Sequence, residues 1–214
     1  MVSVSENFKD LLNNYQVEME TPKSESEFAS KIEEDYGEDL KNFVYDIVGE
    51  PDKYSVSIDV GSDKWLNAPV ATIFNSDAGS DYMHGLFVGY SFHPKSGRLF
   101  VKIDQGIRGI GGHFDILYMR GEMLRHCLDE VPEEFKFEPN KCAAGNILGK
   151  FYQVDEINEE SLEQDLKYLI ETYEQLMPEY EKVSQLNIMD LSIKLREIYD
   201  QKWKIKYPKI STKS

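Results

Sequence analysis

The sequence predicts an α+β fold in which a mixed, largely antiparallel central sheet is flanked by N- and C-terminal helices. Apolar residues recur at helical spacing near both ends of the chain, whereas residues 54–103 alternate apolar and polar side chains as strands do. The change from one period to the other and back predicts segregated helices and strands. The length of 214 residues suits one domain, predicted at 1–183, followed by a C-terminal helix and basic tail at 184–214.

Helices account for most of the two ends. Residues 5–15 form a short amphipathic pattern, and Ser24 with Glu27 is a plausible capping box for a second helix. The helical pattern then continues after Gly37 up to Pro51. Further helices are predicted at residues 114–128, 159–182 and 189–199, with Asn158 as the N-cap of the helix at 159–182.

The middle of the chain reads as short strands separated by turn residues. Pro69 can precede a strand but cannot lie inside one, so it marks the start of an apolar strand. Residues 93–97 have the length and composition of a hairpin loop. Strands are predicted at 54–60, 70–74, 86–92, 99–103 and 147–157, and the Pro132–Pro139 stretch is predicted to be a loop with room for a short strand.

The loops between these strands carry a recognisable order of residues. Residues 61–70 read GSDKWLNAPV and lead into a strand that closes with Ile73-Phe74, and the later hairpin ends in Asp104-Gln105-Gly106. Together with residues 146–152, this order resembles the MrcB-like N-terminal domain over roughly residues 8 to 182. The resemblance implies the DNA-recognition domain of McrB-type, 5-methylcytosine-specific restriction systems.

The resemblance also implies a first DNA-binding site, in the loop and at the start of the strand after it. In the family this region helps to form a pocket for a flipped modified base, and Trp65 would supply one aromatic face of it. Alternatively, Trp65 folds back as a core residue at the base of the loop. Typical members have a second Trp where this chain has Val70, and Ser62 also departs from their pattern. The implied site comprises Gly61, Ser62, Lys64, Trp65, Asn67, Pro69 and Val70.

A second candidate site follows the hairpin. The glycine-rich run 106–113 leads into the predicted helix at 114, and backbone amides in such a loop can bind an anion. The alternative is that the run is only a flexible connection. The basic and amide residues assigned to this site are Lys102, Gln105 and Arg108, with Arg120 nearby.

The charge distribution bears on which class of partner the chain binds. The formal net charge is −15, with the acidic excess in residues 1–50 and 126–193, whereas residues 51–125 carry eight side chains of each sign. A protein that binds DNA mainly through phosphates has a basic excess, so DNA affinity here requires a local patch or base contacts. The preferred partner is double-stranded DNA, with or without modified cytosine. The alternative is an acidic protein-interaction or regulatory module that uses the helices at 16–50 and 158–181 for docking.

No enzymatic activity, cofactor or metal is predicted. The run 145–150 departs from the P-loop pattern, so partner GTPase and nuclease subunits would supply nucleotide hydrolysis and DNA cleavage. With no membrane span and no export signal in the sequence, a cytoplasmic location is expected. The basic tail 201–214 has three interpretations: a nucleic-acid arm, an edge strand or solubilising end, or a segment that joins a partner.

Overall fold

The computed structural model confirms the predicted α+β class. It describes residues 3–50, 52–76, 84–107, 114–136 and 144–206, with side chains as far as Gln201. Within these residues, helices from both ends pack on one five-stranded sheet.

The N-terminal helices begin as the capping residues dictate. Ser3 caps the first helix by accepting a hydrogen bond from the backbone nitrogen of Glu6. Ser26 caps the second helix by accepting from the nitrogen of Ala29 at 3.3 Å, so the predicted start at Ser24 was wrong. Ser24 instead lies in a 3₁₀ turn. The helices are α1 (Val4–Glu18), α2 (Glu27–Lys31) and α3 (Gly37–Val48), with a π-helical turn at Ile32–Tyr36 between the last two.

The sheet is an antiparallel meander in the order β1-β2-β3-β4-β5. All four strand pairings are antiparallel, which confirms the largely antiparallel sheet, and no parallel pair occurs among the described strands. β3 and β4 form a hairpin because the short turn at Pro94–Ser96 joins them directly, whereas residues 106–147 separate β4 from β5 along the chain. The strands are β1 (Tyr54–Asp59), β2 (Val70–Asn75), β3 (Leu86–His93), β4 (Arg98–Gln105) and β5 (Leu148–Gln153).

Alternation along each strand gives the sheet a core face and a second face, which we call the outer face. The core face carries large apolar residues such as Val88, Tyr90 and Phe92, which pack in one cluster with the N- and C-terminal helices. Phe8 of α1 lies 4.9 Å from the Phe92 ring centroid in an edge-to-face contact. The outer face carries Val70, Ser91, Phe100, Lys102 and Phe151, since these alternate with the core residues.

The long C-terminal helix α5 (Glu159–Ser184) completes the core. Asn158 is its N-cap as predicted, accepting from the nitrogen of Ser161 at 2.9 Å. The apolar stripe of α5 is buried on the sheet side, and the hydroxyl of Tyr173 accepts a hydrogen bond from the nitrogen of Asn75 at 3.0 Å. β5 is shorter than predicted because the chain after Gln153 turns into a 3₁₀ segment.

The last helix packs on the helix that follows β4. α4 (Phe114–Arg125) and α6 (Ile188–Lys206) are joined by a hydrogen bond of 2.6 Å from the Tyr199 hydroxyl to Glu122. α6 is longer than predicted, and its helical backbone excludes an edge strand for residues 201–206. Residues 207–214 of the tail lie outside the described residues, and the division at residue 183 stays a prediction. In the Pro132–Pro139 stretch, the described part contains a 3₁₀ turn at Glu133–Phe135 rather than a strand.

Candidate functional site

The loop between β1 and β2 is a tight structure that requires glycine at its start. Gly61 has a φ of +106°, and a Cβ atom there would lie 2.0 Å from the carbonyl oxygen of Lys64. The backbone nitrogen of Gly61 donates to the Asp59 carboxylate at 2.7 Å. The nitrogen of Leu66 donates to the oxygen of Val60 at 2.8 Å and closes the loop. The loop therefore has a defined shape, set by local hydrogen bonds.

Trp65 holds this loop against α1. Its indole nitrogen donates to the backbone oxygen of Thr21 at 2.8 Å, and its ring meets the Tyr15 ring edge-on at 5.0 Å. The Tyr15 hydroxyl in turn donates to the oxygen of Leu66 at 3.0 Å, and burial raises the pKa of Tyr15 well above its ordinary value. Trp65 is half-buried against the core. This geometry matches the fold-back alternative for Trp65 and leaves part of its surface accessible.

The remaining loop residues divide by exposure. Pro69 is buried at the entrance of β2, and its backbone oxygen accepts from the nitrogen of Phe92 at 2.9 Å. Val70 is half-buried on the outer face, where it pairs with Ser91 of β3. The exposed members of the predicted site are Ser62, Lys64 and Asn67.

Lys102 reaches the same face from β4, but a carboxylate accompanies it. Its Nζ lies 2.6 Å from an Asp104 oxygen, and the two side chains are only 12% and 13% exposed. Asn146 lies beside the same pair, and with its amide nitrogen turned toward Asp104 it donates to that carboxylate at 2.8 Å. A partner negative charge at this distance compensates most of the Lys102 charge. Lys102 is therefore part of a largely buried ion pair rather than a free phosphate contact.

Gln105 has a structural role in the fold. Its side chain is buried on the core side, where the amide nitrogen donates to the oxygens of Leu117 and Gly145, both at 3.1 Å. These bonds tie the end of β4 to α4 and to the segment before β5. Arg120 also makes a hydrogen bond within the protein, because it donates to the backbone oxygen of Ser184 at 2.7 Å. Arg108 and residues 109–113 of the glycine-rich run lie outside the described residues.

The sheet brings part of the two predicted sites onto one surface. Thr72 pairs with Gly89 and Gly89 pairs with Lys102, so β3 alone separates β2 from Lys102. Two strand spacings correspond to roughly 10 Å. Val70 and Lys102 therefore share the outer face, whereas Gln105 points to the opposite side.

The outer face also carries an aromatic group that the sequence analysis did not single out. The Phe100 and Phe151 rings are stacked, with centroids 4.1 Å apart and planes at 11°, and His93 lies 6.4 Å from Phe151. Burial lowers the pKa of His93, and the nearby charges of Lys102 and Arg98 lower it further. The alternation in Leu148–Gln153 was the available signal, since it places Phe151 opposite the core-facing Tyr152.

Other kinds of site have little support in the described ranges. No group of three or more His, Cys, Asp or Glu side chains there is placed to hold a metal ion. Among the helices of the same ranges, none has the length and apolar character needed to cross a membrane.

Comparison with known proteins gives one finding about the family. No curated protein matched the chain. A family model described as "MrcB-like, N-terminal domain" matches residues 10–178, which include the C-terminal part of α1, the whole sheet and most of α5. Because the match covers most of the chain and both candidate sites, the protein belongs to the MrcB-like N-terminal domain family.

Proposed function

We propose that this chain is a non-catalytic DNA-recognition module of a restriction or phage-defence system. Its membership of the MrcB-like N-terminal domain family is the observation that carries the proposal. In this function the chain selects double-stranded DNA in the cytoplasm, and partner GTPase and nuclease subunits hydrolyse the nucleotide and cut the DNA. The chain's own contribution is specificity.

The outer face and the adjoining 61–70 loop form the proposed DNA-contacting surface. The loop presents the exposed side chains of Lys64 and Asn67, which can contact phosphates and base edges respectively. The ordered loop backbone would present them with little loss of conformational freedom on binding.

Recognition of modified cytosine is the finer part of the proposal. Trp65 is anchored through its indole nitrogen, so its position relative to Val70 is set before DNA arrives. A flipped base would stack on the accessible part of Trp65 and contact the aliphatic side chain of Val70. Since an aliphatic residue stacks less well than the Trp of typical members, we expect a modest preference for methylated over unmethylated duplex.

Binding to paired duplexes tests the proposal. Fluorescence anisotropy is measured with duplexes that carry or lack 5-methylcytosine, at low and at near-physiological salt. We expect binding of both duplexes, weakened by salt, and a smaller difference between them for Trp65→Ala. Lys64→Ala should weaken both duplexes alike, whereas Lys167→Ala, an exposed lysine on α5, should leave them unchanged. Absence of binding to either duplex at low salt would refute the proposal.

The acidic surface favours a second candidate, a protein-interaction or regulatory module on the same fold. The chain carries a net charge of −15, and exposed carboxylates such as Glu34 and Glu171 lie on the N-terminal helical segment and on α5. A basic partner would be attracted to this surface at long range. Affinity purification under gentle salt, with Glu-to-Gln variants on α5, separates the candidates: captured protein lost in those variants favours docking, whereas unchanged capture contradicts it.

A further inference from the structure

The stacked rings on β4 and β5 have an exposed side. Phe100 is buried at 4% exposure, whereas Phe151 is 48% exposed. Because the two rings are nearly parallel, Phe100 supports one face of Phe151. An aromatic ring that is supported from below and open to solvent is a suitable platform for another flat group.

A glycine makes this stack possible. A Cβ atom on Gly149 would lie 2.5 Å from the Phe100 ring, closer than such atoms approach, so the ring occupies the space above the glycine. Phe100 therefore leans toward β5 and reaches Phe151, its cross-strand partner. The platform is built into the sheet, since its geometry depends on three strand residues.

The surroundings of the platform are basic, unlike the chain as a whole. Arg98 is exposed beside His93, with no ion-pair partner among the described residues. Lys102 lies 5.5 Å from the Phe100 ring centroid but is paired with Asp104, so the accessible positive charge comes from Arg98 and from Lys95, which is exposed on the turn between β3 and β4. The positive charges of Lys102 and Arg98 are close enough to disfavour protonation of His93. Positive charge around an aromatic platform is complementary to a base and its phosphate.

We propose that Phe151, supported by Phe100, stacks on an unpaired base of a DNA strand, with Arg98 on a neighbouring phosphate. The proposal rests on the proposed DNA-recognition function and adds a contact at the β5 edge, three strand positions away from Val70 on β2. Stacking on a single ring is tolerant of base identity, because every base has an aromatic face. This contact therefore contributes affinity for an unstacked strand rather than sequence specificity.

A short single-stranded oligonucleotide containing 2-aminopurine is the probe for the platform. The fluorescence of 2-aminopurine falls when the base stacks, and anisotropy reports the affinity. We expect quenching with the wild-type chain, and a loss of affinity of about 5- to 150-fold for Phe151→Ala, the range expected for one base–aromatic contact. Phe151→Leu should lose the quenching as well, whereas Phe151→Trp should keep it. Arg98→Gln should weaken binding and reduce its salt dependence.

Controls separate this proposal from the proposed function. Tyr118→Ala, which removes a comparably exposed ring on α4, should leave oligonucleotide binding unchanged. If the wild-type chain binds duplex but Phe151→Ala leaves quenching and affinity unchanged, the platform is refuted and the proposed function stands. If the oligonucleotide binds through Phe151 but no duplex binds, the platform is supported and the proposed DNA-recognition function is refuted. Failure of the oligonucleotide to bind overturns the platform. Complete displacement of the oligonucleotide by an acidic peptide also overturns it, because binding would then depend on charge and not on stacking.

Discussion

Trp65 stabilises the fold at a position where the family resemblance predicts recognition of DNA. Its indole nitrogen donates a hydrogen bond to the backbone oxygen of Thr21, and its ring contacts Tyr15 of α1. These contacts link the 61–70 loop to the N-terminal helix across more than forty residues of sequence. A change at Trp65 therefore alters the loop's position as well as any contact with DNA, and stability must be measured beside binding.

Substitution of Trp65 should separate its hydrogen bond from its packing. Trp65→Phe keeps a ring but loses the bond, and should lower the free energy of unfolding by about 1 kcal/mol. Trp65→Ala also loses the packing and should cost roughly 2 kcal/mol, less than a fully buried aromatic because Trp65 is half-buried. Urea unfolding measures both. Ser62→Ala, exposed in the same loop, should change little, and equal stability of all three variants would contradict the anchoring role.

At the scale of elements, the helices differ in how they are held. α5 buries a continuous stripe on the sheet, whereas α6 is held mainly through α4, with Leu191 fully buried and Met189 and Ile193 exposed. The Tyr199 hydroxyl bond to Glu122 adds a polar contact at the far end of α6. α6 is therefore the helix that we expect to separate from the body at the lowest free energy.

Truncation of Leu191 tests this expectation. Leu191→Ala removes a buried side chain and should cost about 2–5 kcal/mol of the free energy that holds α6 in place. Hydrogen exchange should become faster in peptides from 188–206, while peptides from the sheet change less. Ile193→Ala, at a 52% exposed position on the same helix, is the matched control and should leave exchange unchanged. Uniformly faster exchange over the whole chain after Leu191→Ala would show that α6 is part of the main cooperative unit.

For the whole molecule, charge is the dominant feature outside the core. The excess of carboxylates lies in residues 1–50 and 126–193, while residues 51–125, which include β1 to β4, are balanced. Several carboxylates are paired with lysines on the same helix, such as Glu163 with Lys167 on α5. Exposed ion pairs of this kind contribute little to the free energy of unfolding, so the repulsion among the remaining carboxylates is only partly relieved.

Salt should therefore stabilise the free protein. Screening at 0.1–0.15 M salt has a Debye length of about 8–10 Å, which weakens repulsion between distant carboxylates. We expect the thermal midpoint to rise by a few degrees when sodium chloride is added to a low-salt buffer, as measured by circular dichroism. The double variant Glu171→Gln with Glu181→Gln removes two exposed carboxylates of α5. It should have a higher thermal midpoint at low salt, and its midpoint should rise less when salt is added. A midpoint that falls with added salt would contradict this account.

The sequence alone determined the fold class, the family and the approximate position of every strand. Period-two alternation and the turn residues around Pro69 and Gly97 are local signals, and local signals are what a sequence displays directly. The N-cap at Asn158 was predicted for the same reason. The cap predicted at Ser24 was wrong, because it is the side chain of Ser26 that accepts the hydrogen bond from the nitrogen of Ala29.

The tertiary structure alone decided which site residues can act together. Lys102 and Gln105 are close in sequence, but one lies on the outer face beside Asp104 and the other is buried between β4 and α4. The Phe100–Phe151 stack joins residues 51 positions apart, through strand pairing that local patterns do not specify. Strand order and register come from long-range contacts, so the ion pair and the aromatic platform became visible only in the assembled sheet.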